Sequence, residues 1–182
     1  MAKAIRFHKT GGPEVLQLDD VQVGDPGQGQ VRIRHTAIGV NFVDTYQRSG
    51  LYPMPLPQVA GNEGAGVVEA VGPGVTDLKA GDRVCYTGLI GSYCESRVVP
   101  AERMVKLPQG ITEEQAASML LKGLTVHYLI FSTYAVKRGQ RVAVGRSRGR
   151  DCKQGPVAED DVRGHAGLCR LRAPPGTQPL VQ

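Results

Sequence analysis

Alternating apolar and polar residues over the first hundred positions predict short β-strands separated by glycine and proline turns. Residues 3–8 alternate in this way, and residues 15–23 read as a second strand. The clearest alternation covers residues 31–38 and places Val31, Ile33 and His35 on one face. We therefore interpret His35 as a half-buried strand residue and not as a metal ligand. Many short strands at this spacing are typical of a β-barrel or a β-sandwich.

The glycine-rich stretch 61–75 contains a single carboxylate, Glu63, followed by a strand-like valine run and a Gly-Pro-Gly turn. Glycine at this density indicates tight turns or close approach of the backbone, because glycine has no Cβ to clash. We interpret Glu63 as a buried structural carboxylate that is hydrogen-bonded to its neighbours.

Residues 39–52 are too polar for a buried strand and too aromatic for a plain surface loop, and two interpretations stay open. The first is a cleft lined by Asn41, Asp44, Tyr46 and Tyr52. The second is a short capped helical turn that is packed by Phe42 and Val43.

The pattern changes near residue 108, where helical spacing replaces strand alternation. Thr112 and Gln115 form a capping box, which predicts the start of a helix. Gly123 is expected to interrupt this helix, with a second helix over residues 124–135. A strand is expected to begin at residues 141–144. The all-β part therefore gives way to a helix–strand unit.

Composition narrows the function classes only slightly. The 182 residues include 24 glycines and 12 prolines, which suit a turn-rich β protein. No run of 18 apolar residues and no signal-like start occurs, so we expect a cytoplasmic protein without a membrane span. The four cysteines form no CxxC pair, so free thiols are expected and a structural zinc site is not.

The basic character of the chain is confined to its C-terminal part. Residues 1–136 hold 12 Lys/Arg against 13 Asp/Glu, whereas residues 137–182 hold 10 against 4. A basic tail can contact nucleic-acid phosphates. It has no aromatic residue after Tyr134 for base stacking and no nucleic-acid motif, so specific nucleic-acid binding is not expected.

Three segments together resemble zinc-independent quinone oxidoreductases, the zeta-crystallin-like group of the medium-chain dehydrogenase/reductase superfamily. The resemblance covers about residues 1–144. The segments are Gly61-x-Glu63-x-x-Gly66-x5-Gly72-x-x-Val75, residues 41–52, and Lys122-Gly123-Leu124-Thr125.

This resemblance implies a mainly β fold in three parts. Residues 1–110 would be a GroES-like β-barrel catalytic domain, and residues 111–144 the first helix and strand of an incomplete Rossmann domain. Residues 145–182 depart from the family's glycine-rich loop and are expected to be a divergent, disordered tail. A shift of one nucleotide at Gly145 can restore an alanine- and glycine-rich sequence. We therefore expect a chain that is truncated or frameshifted after about residue 144.

The resemblance also implies the chemistry. Zinc-dependent members carry His where this chain has Asn62, and Cys in the region of Val40-Asn41, so no metal is expected. The implied activity is NADPH-dependent quinone reduction, because an electron-poor quinone accepts hydride without a strong Lewis acid. The implied catalytic residues are Asn41, Tyr46 and Tyr52, and the implied cofactor-binding residues are Asn41, Lys122 and Thr125.

Two further expectations concern partners. A homodimer is expected for the full-length family but not for this chain, since the sheet that would form it is not encoded. The alternative function is a non-catalytic binding module, with the basic tail as a nucleic-acid contact.

Overall fold

The computed structural model describes residues 1–138, which contain eight strands and two α-helices. Residues 1–121 form one compact unit, and a second unit begins at Lys122. The strands are β1 Ala2–Phe7, β2 Leu16–Val21, β3 Gln30–Gly39, β4 Gln58–Val59, β5 Glu63–Val71, β6 Arg83–Thr87, β7 Ser96–Pro100 and β8 Val105–Lys106. The helices are α1 Phe42–Ser49 and α2 Glu113–His127.

The strands form two antiparallel sheets, with orders β2-β1-β4 and β7-β3-β5-β6-β8. The segment from Tyr93 to Glu95 joins them. The N–H of Ile5 donates to the Tyr93 carbonyl at 2.7 Å, and the N–H of Glu95 donates to the Lys3 carbonyl at 2.9 Å. On the other side, the N–H of His35 donates to the Glu95 carbonyl at 2.8 Å. This crossing segment therefore holds β1 and β3 at a fixed distance.

The predicted face of β3 is confirmed. Val31 and Ile33 are fully buried and His35 is half-buried on the same side. The largest core cluster comprises Val31, Ile33, Val68, Leu78, Val84, Tyr86 and Val99. The strand predicted from the valines of residues 67–71 is also confirmed, and it begins earlier, at Glu63. The mainly β character of the chain follows from these two sheets.

The helical interpretation of residues 39–52 is confirmed, but the predicted packing of Phe42 was wrong. The helix α1 begins after Asn41 and ends at Ser49, and the next residue, Gly50, adopts a left-handed conformation with φ of 85°. Phe42 was expected to pack inward and is instead 60% exposed, while Asp44 on the opposite face is buried. The orientation of the helix is therefore inverted relative to an ordinary surface helix, with a polar side chain facing inward and an aromatic one facing outward. The cause is that the capping carboxylate accepts hydrogen bonds from buried donors.

The capping box that starts α2 is confirmed. The N–H of Thr112 donates to Gln115 Oε1 at 2.9 Å, and the N–H of Gln115 donates to Thr112 Oγ1 at 3.2 Å. The expected interruption at Gly123 was wrong, since α2 continues to His127 and is followed by a π-helical stretch, Tyr128–Thr133. One glycine costs a helix only about 1 kcal/mol relative to alanine, which its neighbours can offset.

The strand expected at residues 141–144 and the tail expected at residues 145–182 lie outside the described residues. The domain boundaries at residues 110 and 144 stay predictions. Within residues 1–138, no helix is long and apolar enough to cross a membrane.

Candidate functional site

Glu63 is the buried centre of the candidate site. Its side chain is 0% exposed, at the first position of β5. Asn41 Nδ2 donates to Glu63 Oε2 at 2.8 Å, and the N–H of Leu121 donates to Glu63 Oε1 at 2.7 Å. The carboxylate therefore links the residue that precedes α1 to a backbone group within α2. This confirms the interpretation of Glu63 as a buried, hydrogen-bonded carboxylate.

Close approach around Glu63 depends on Gly39, the last residue of β3. A Cβ added to Gly39 would overlap the Ala117 carbonyl oxygen and the Glu63 carboxylate. Ala117 lies in α2 and is itself buried, so the helix backbone packs directly on the strand here. Only a glycine at position 39 allows α2 and the carboxylate to approach this closely.

Asp44 is a second buried carboxylate, and three donors surround it. Its Oδ2 accepts hydrogen bonds from the Asn41 N–H and from the Tyr93 hydroxyl, both at 2.8 Å. Its Oδ1 accepts one from Asn62 Nδ2 at 2.7 Å. Asn62 Nδ2 also donates to Gln47 Oε1 at 2.6 Å. A buried carboxylate needs such donors, because an unpaired charge in the interior is costly.

Tyr93 belongs to this network but was not identified in the sequence. The sequence pattern predicts a strand over residues 93–99, which would include Tyr93, whereas β7 begins only at Ser96. Burial raises the pKa of its hydroxyl, and the hydrogen bond to Asp44 raises it further. Tyr93 therefore remains a protonated donor across the physiological pH range. No local pattern marks it, since its partner is 49 residues away.

The predicted catalytic residues lie on and around α1. Asn41 is the residue that precedes the helix and is buried. The rings of Tyr46 and Tyr52 meet edge to face with centroids 5.6 Å apart, and the N–H of Tyr52 donates to the Tyr46 carbonyl at 3.2 Å. Phe42 lies one turn before Tyr46 on the same helix face. Three aromatic side chains thus follow one another beside Asn41, and Phe42 and Tyr52 are exposed.

The predicted cofactor-binding residues on α2 lie in the second unit. Lys122 and Thr125 are three positions apart, so they share one face of the helix. Lys122 is half-buried and Thr125 is exposed. Their ammonium and hydroxyl groups can donate hydrogen bonds to an amide or a phosphate group.

The side chains at the candidate site do not match a zinc site. Zinc in proteins is bound by thiolate, imidazole and carboxylate ligands. Here the amide nitrogens of Asn41 and Asn62 donate to the two carboxylates, so those carboxylates already act as hydrogen-bond acceptors. Among the residues that the structure describes, no group of three or more His, Cys, Asp or Glu is placed to hold a metal ion.

A separate polar cluster surrounds His35. Its Nδ1 lies 2.7 Å from the Cys94 carbonyl, and its Nε2 lies 2.8 Å from the Tyr86 hydroxyl. Because a carbonyl can only accept, Nδ1 carries the proton and Nε2 accepts from Tyr86. Burial, assisted by the positive charge of Arg97, lowers the pKa of His35 to about 4. His35 is therefore a neutral, half-buried strand residue, as its position in the alternation predicted.

Cys85 and Cys94 are free thiols, as expected, and the other two cysteines lie outside the described residues. Burial raises the pKa of Cys94 to about 11. This thiol is therefore protonated and unreactive at neutral pH.

Comparison with known proteins identifies a recognised domain. Residues 27–109 match the family model described as the alcohol dehydrogenase GroES-like domain. A quinone oxidoreductase of Pseudomonas aeruginosa is 55% identical over 144 residues, which are 78% of this chain and 44% of that protein. A 2-haloacrylate reductase of a Burkholderia species is 47% identical over 158 residues, or 82% of this chain and 47% of that protein.

A solved structure supports the same relationship. The crystal structure of an Escherichia coli quinone oxidoreductase complexed with NADPH matches with a TM-score of 0.72 and 49% identity. The match covers 75% of this chain and 42% of that chain. The GroES-like fold expected from the resemblance is thus confirmed. The chain spans less than half the length of the relatives it matches.

Proposed function

Because this chain belongs to the quinone oxidoreductase family of the medium-chain dehydrogenase/reductase superfamily, we propose that its site serves zinc-independent quinone reduction with NADPH. The proposal concerns the activity of the whole protein, of which the described residues supply the catalytic-domain side. A quinone is the hydride acceptor and NADPH, when bound, supplies the hydride.

The observation that carries the proposal is the pair of bonds that fix Asn41. Its side-chain amide is held by Glu63 and its backbone N–H by Asp44, so both ends of the residue are oriented before any ligand arrives. Preorganised hydrogen-bonding groups of this kind are the main contribution a protein makes beside a cofactor that carries the redox chemistry. Asn41 is proposed to orient the nicotinamide, and Glu63 and Asp44 to hold Asn41.

The aromatic residues supply the acceptor side of the site. The edge-to-face rings of Tyr46 and Tyr52 present apolar area to a planar quinone and exclude water from it. Their hydroxyl groups can donate hydrogen bonds to a quinone oxygen. An uncharged quinone suits these two aromatic side chains, since no ion pair is needed to bind it.

The cofactor is proposed to contact α2. Lys122 and Thr125 share a helix face whose ammonium and hydroxyl donors suit the carboxamide or phosphate groups of NADPH. The loop expected to bind the pyrophosphate follows residue 144 and lies outside the described residues.

The test is a fluorescence titration of the purified full chain with NADPH, followed by turnover of 1,4-benzoquinone. We expect saturable binding and quinone-dependent oxidation of NADPH. Thr125→Val should weaken NADPH binding by about fivefold to tenfold, the worth of one hydrogen bond. Thr76→Val is the matched control, because the Thr76 hydroxyl contacts only Asp77 at the surface. Absence of NADPH binding at millimolar concentration would remove the enzymatic proposal for this chain.

An unsaturated acid is a second class of hydride acceptor, and it can be used to test whether the site prefers a quinone. The relative named 2-haloacrylate reductase makes an unsaturated acid the natural comparison. Its carboxylate needs a cationic partner, whereas Tyr46 and Tyr52, the residues proposed for the acceptor side, are uncharged. We therefore expect benzoquinone to be reduced at least tenfold faster than 2-chloroacrylate at equal concentration. The reverse preference would contradict the assignment of a quinone.

A further inference from the structure

Tyr93 reaches the candidate site from a segment that carries none of the residues assigned to it. Resting on the proposed function, we infer that Tyr93 is a positioning residue, which holds Asp44 and through it the orientation of Asn41. Its hydroxyl and the Asn41 N–H donate to the same oxygen, Asp44 Oδ2, each at 2.8 Å. Tyr93 and Asn41 are thus joined by one carboxylate oxygen.

The backbone of Tyr93 is fixed on both sides. Its N–H donates to the Ala60 carbonyl at 2.9 Å, and its carbonyl accepts from the Ile5 N–H at 2.7 Å. The aromatic ring lies against Gly61, where an added Cβ would overlap the ring. Gly61 also has a φ of 93°, which favours glycine. The backbone of Tyr93, in the segment Tyr93–Glu95 between the two sheets, is therefore held in place, and this fixes the position of the hydroxyl at Asp44.

The Tyr93 hydroxyl acts on Asn41 through Asp44, which is buried, with only 6% of its surface exposed. Water cannot readily replace a lost donor at such a site. Without the hydroxyl, Oδ2 keeps the Asn41 N–H, while Oδ1 keeps Asn62. With one donor fewer on Oδ2, the carboxylate can rotate toward Asn62, which donates to Oδ1. The Asn41 N–H then donates to an oxygen whose position is no longer fixed.

The variant that tests this is Tyr93→Phe, which removes the hydroxyl and keeps the ring against Gly61. Its matched control is Tyr86→Phe, which removes a second hydroxyl, that of a fully buried tyrosine bonded to His35 outside this network. Both variants of the full chain are compared with the unmodified protein by amide hydrogen exchange and by ¹⁵N relaxation of backbone amides. The global free energy of unfolding is measured for each by urea titration.

In Tyr93→Phe we expect the Asn41 N–H to exchange about 10- to 100-fold faster, relative to amides of the β3–β5 ladder. We also expect the order parameter of the Asn41 backbone N–H to fall from about 0.85 to below about 0.6. Tyr86→Phe should change neither quantity once its global stability is taken into account.

A purely structural role would lower stability in both variants and leave Asn41 as ordered as before. That outcome, or equal effects of the two variants on Asn41, overturns the inference. The measurement needs neither NADPH nor a quinone. Failure of the proposed enzymatic function would therefore appear in the titration and turnover assays and not in this one.

Discussion

His35 should make the stability of this protein depend on pH in a defined interval. The imidazole is neutral in the folded protein, with a pKa of about 4, against 6.5 for the ordinary group. Protonation would turn Nε2 from an acceptor into a donor facing the Tyr86 hydroxyl, with Arg97 adding like charge. The folded state therefore binds this proton less readily than the unfolded chain.

The sign and size of the effect follow from the two pKa values. The contribution of neutral His35 to the free energy of unfolding is fully present above pH 6.5. It is lost as the pH falls from 6.5 to 4 and does not change further below 4. A difference of 2.5 between the two pKa values corresponds to about 3 kcal/mol of unfolding free energy. This is a large share of the total stability of a typical domain.

The assay is urea unfolding of the full chain at half-unit steps from pH 4 to pH 7. His35→Gln keeps hydrogen-bonding capacity and removes the titrating group. As the pH falls over this interval, its free energy of unfolding should therefore decrease by about 3 kcal/mol less than that of the unmodified protein. His8→Gln is the control, because His8 is exposed and pairs with Asp19 at the surface. The reasoning is refuted if the unmodified protein and His35→Gln show the same dependence on pH.

Three further predictions concern the backbone, the buried carboxylate and the coding sequence. Gly61→Ala should lower the unfolding free energy by about 2–4 kcal/mol through strain at positive φ and overlap with a ring; Gly29→Ala, with positive φ but open space, should lose about 1 kcal/mol. Glu63→Gln places an amide donor against one of its two donors and should cost about 1–3 kcal/mol in urea unfolding, whereas Glu69→Gln should cost under about 1 kcal/mol. DNA sequencing across residue 144 should reveal an open frame with a glycine-rich loop one nucleotide away; without such a frame the frameshift hypothesis is wrong.

Sequence patterns predicted the features that depend on neighbouring residues. The alternation of Val31, Ile33 and His35 predicted one face of β3, and the Thr112–Gln115 capping box predicted the start of α2. In each case the signal spans a few positions, because strand and helix geometry place those residues together.

The polar network could not be predicted because its contacts are distant in sequence. Tyr93 reaches Asp44 across 49 positions, and Leu121 reaches Glu63 across 58. Phe42 was misplaced for a related reason. Hydropathy alone assigns an aromatic residue to the core, whereas the buried donors around Asp44 decide which face of α1 turns inward.

The inverted orientation of α1 separates the constraints on folding from the constraints on ligand binding. In an ordinary surface helix, the apolar residues stabilise the core, so altering them to change specificity also costs stability. Here Phe42 is exposed and the stabilising contacts are made by Asp44 on the opposite face. The aromatic face can therefore change during evolution with little loss of stability, so the acceptor specificity that we propose for it can diversify on an unchanged scaffold.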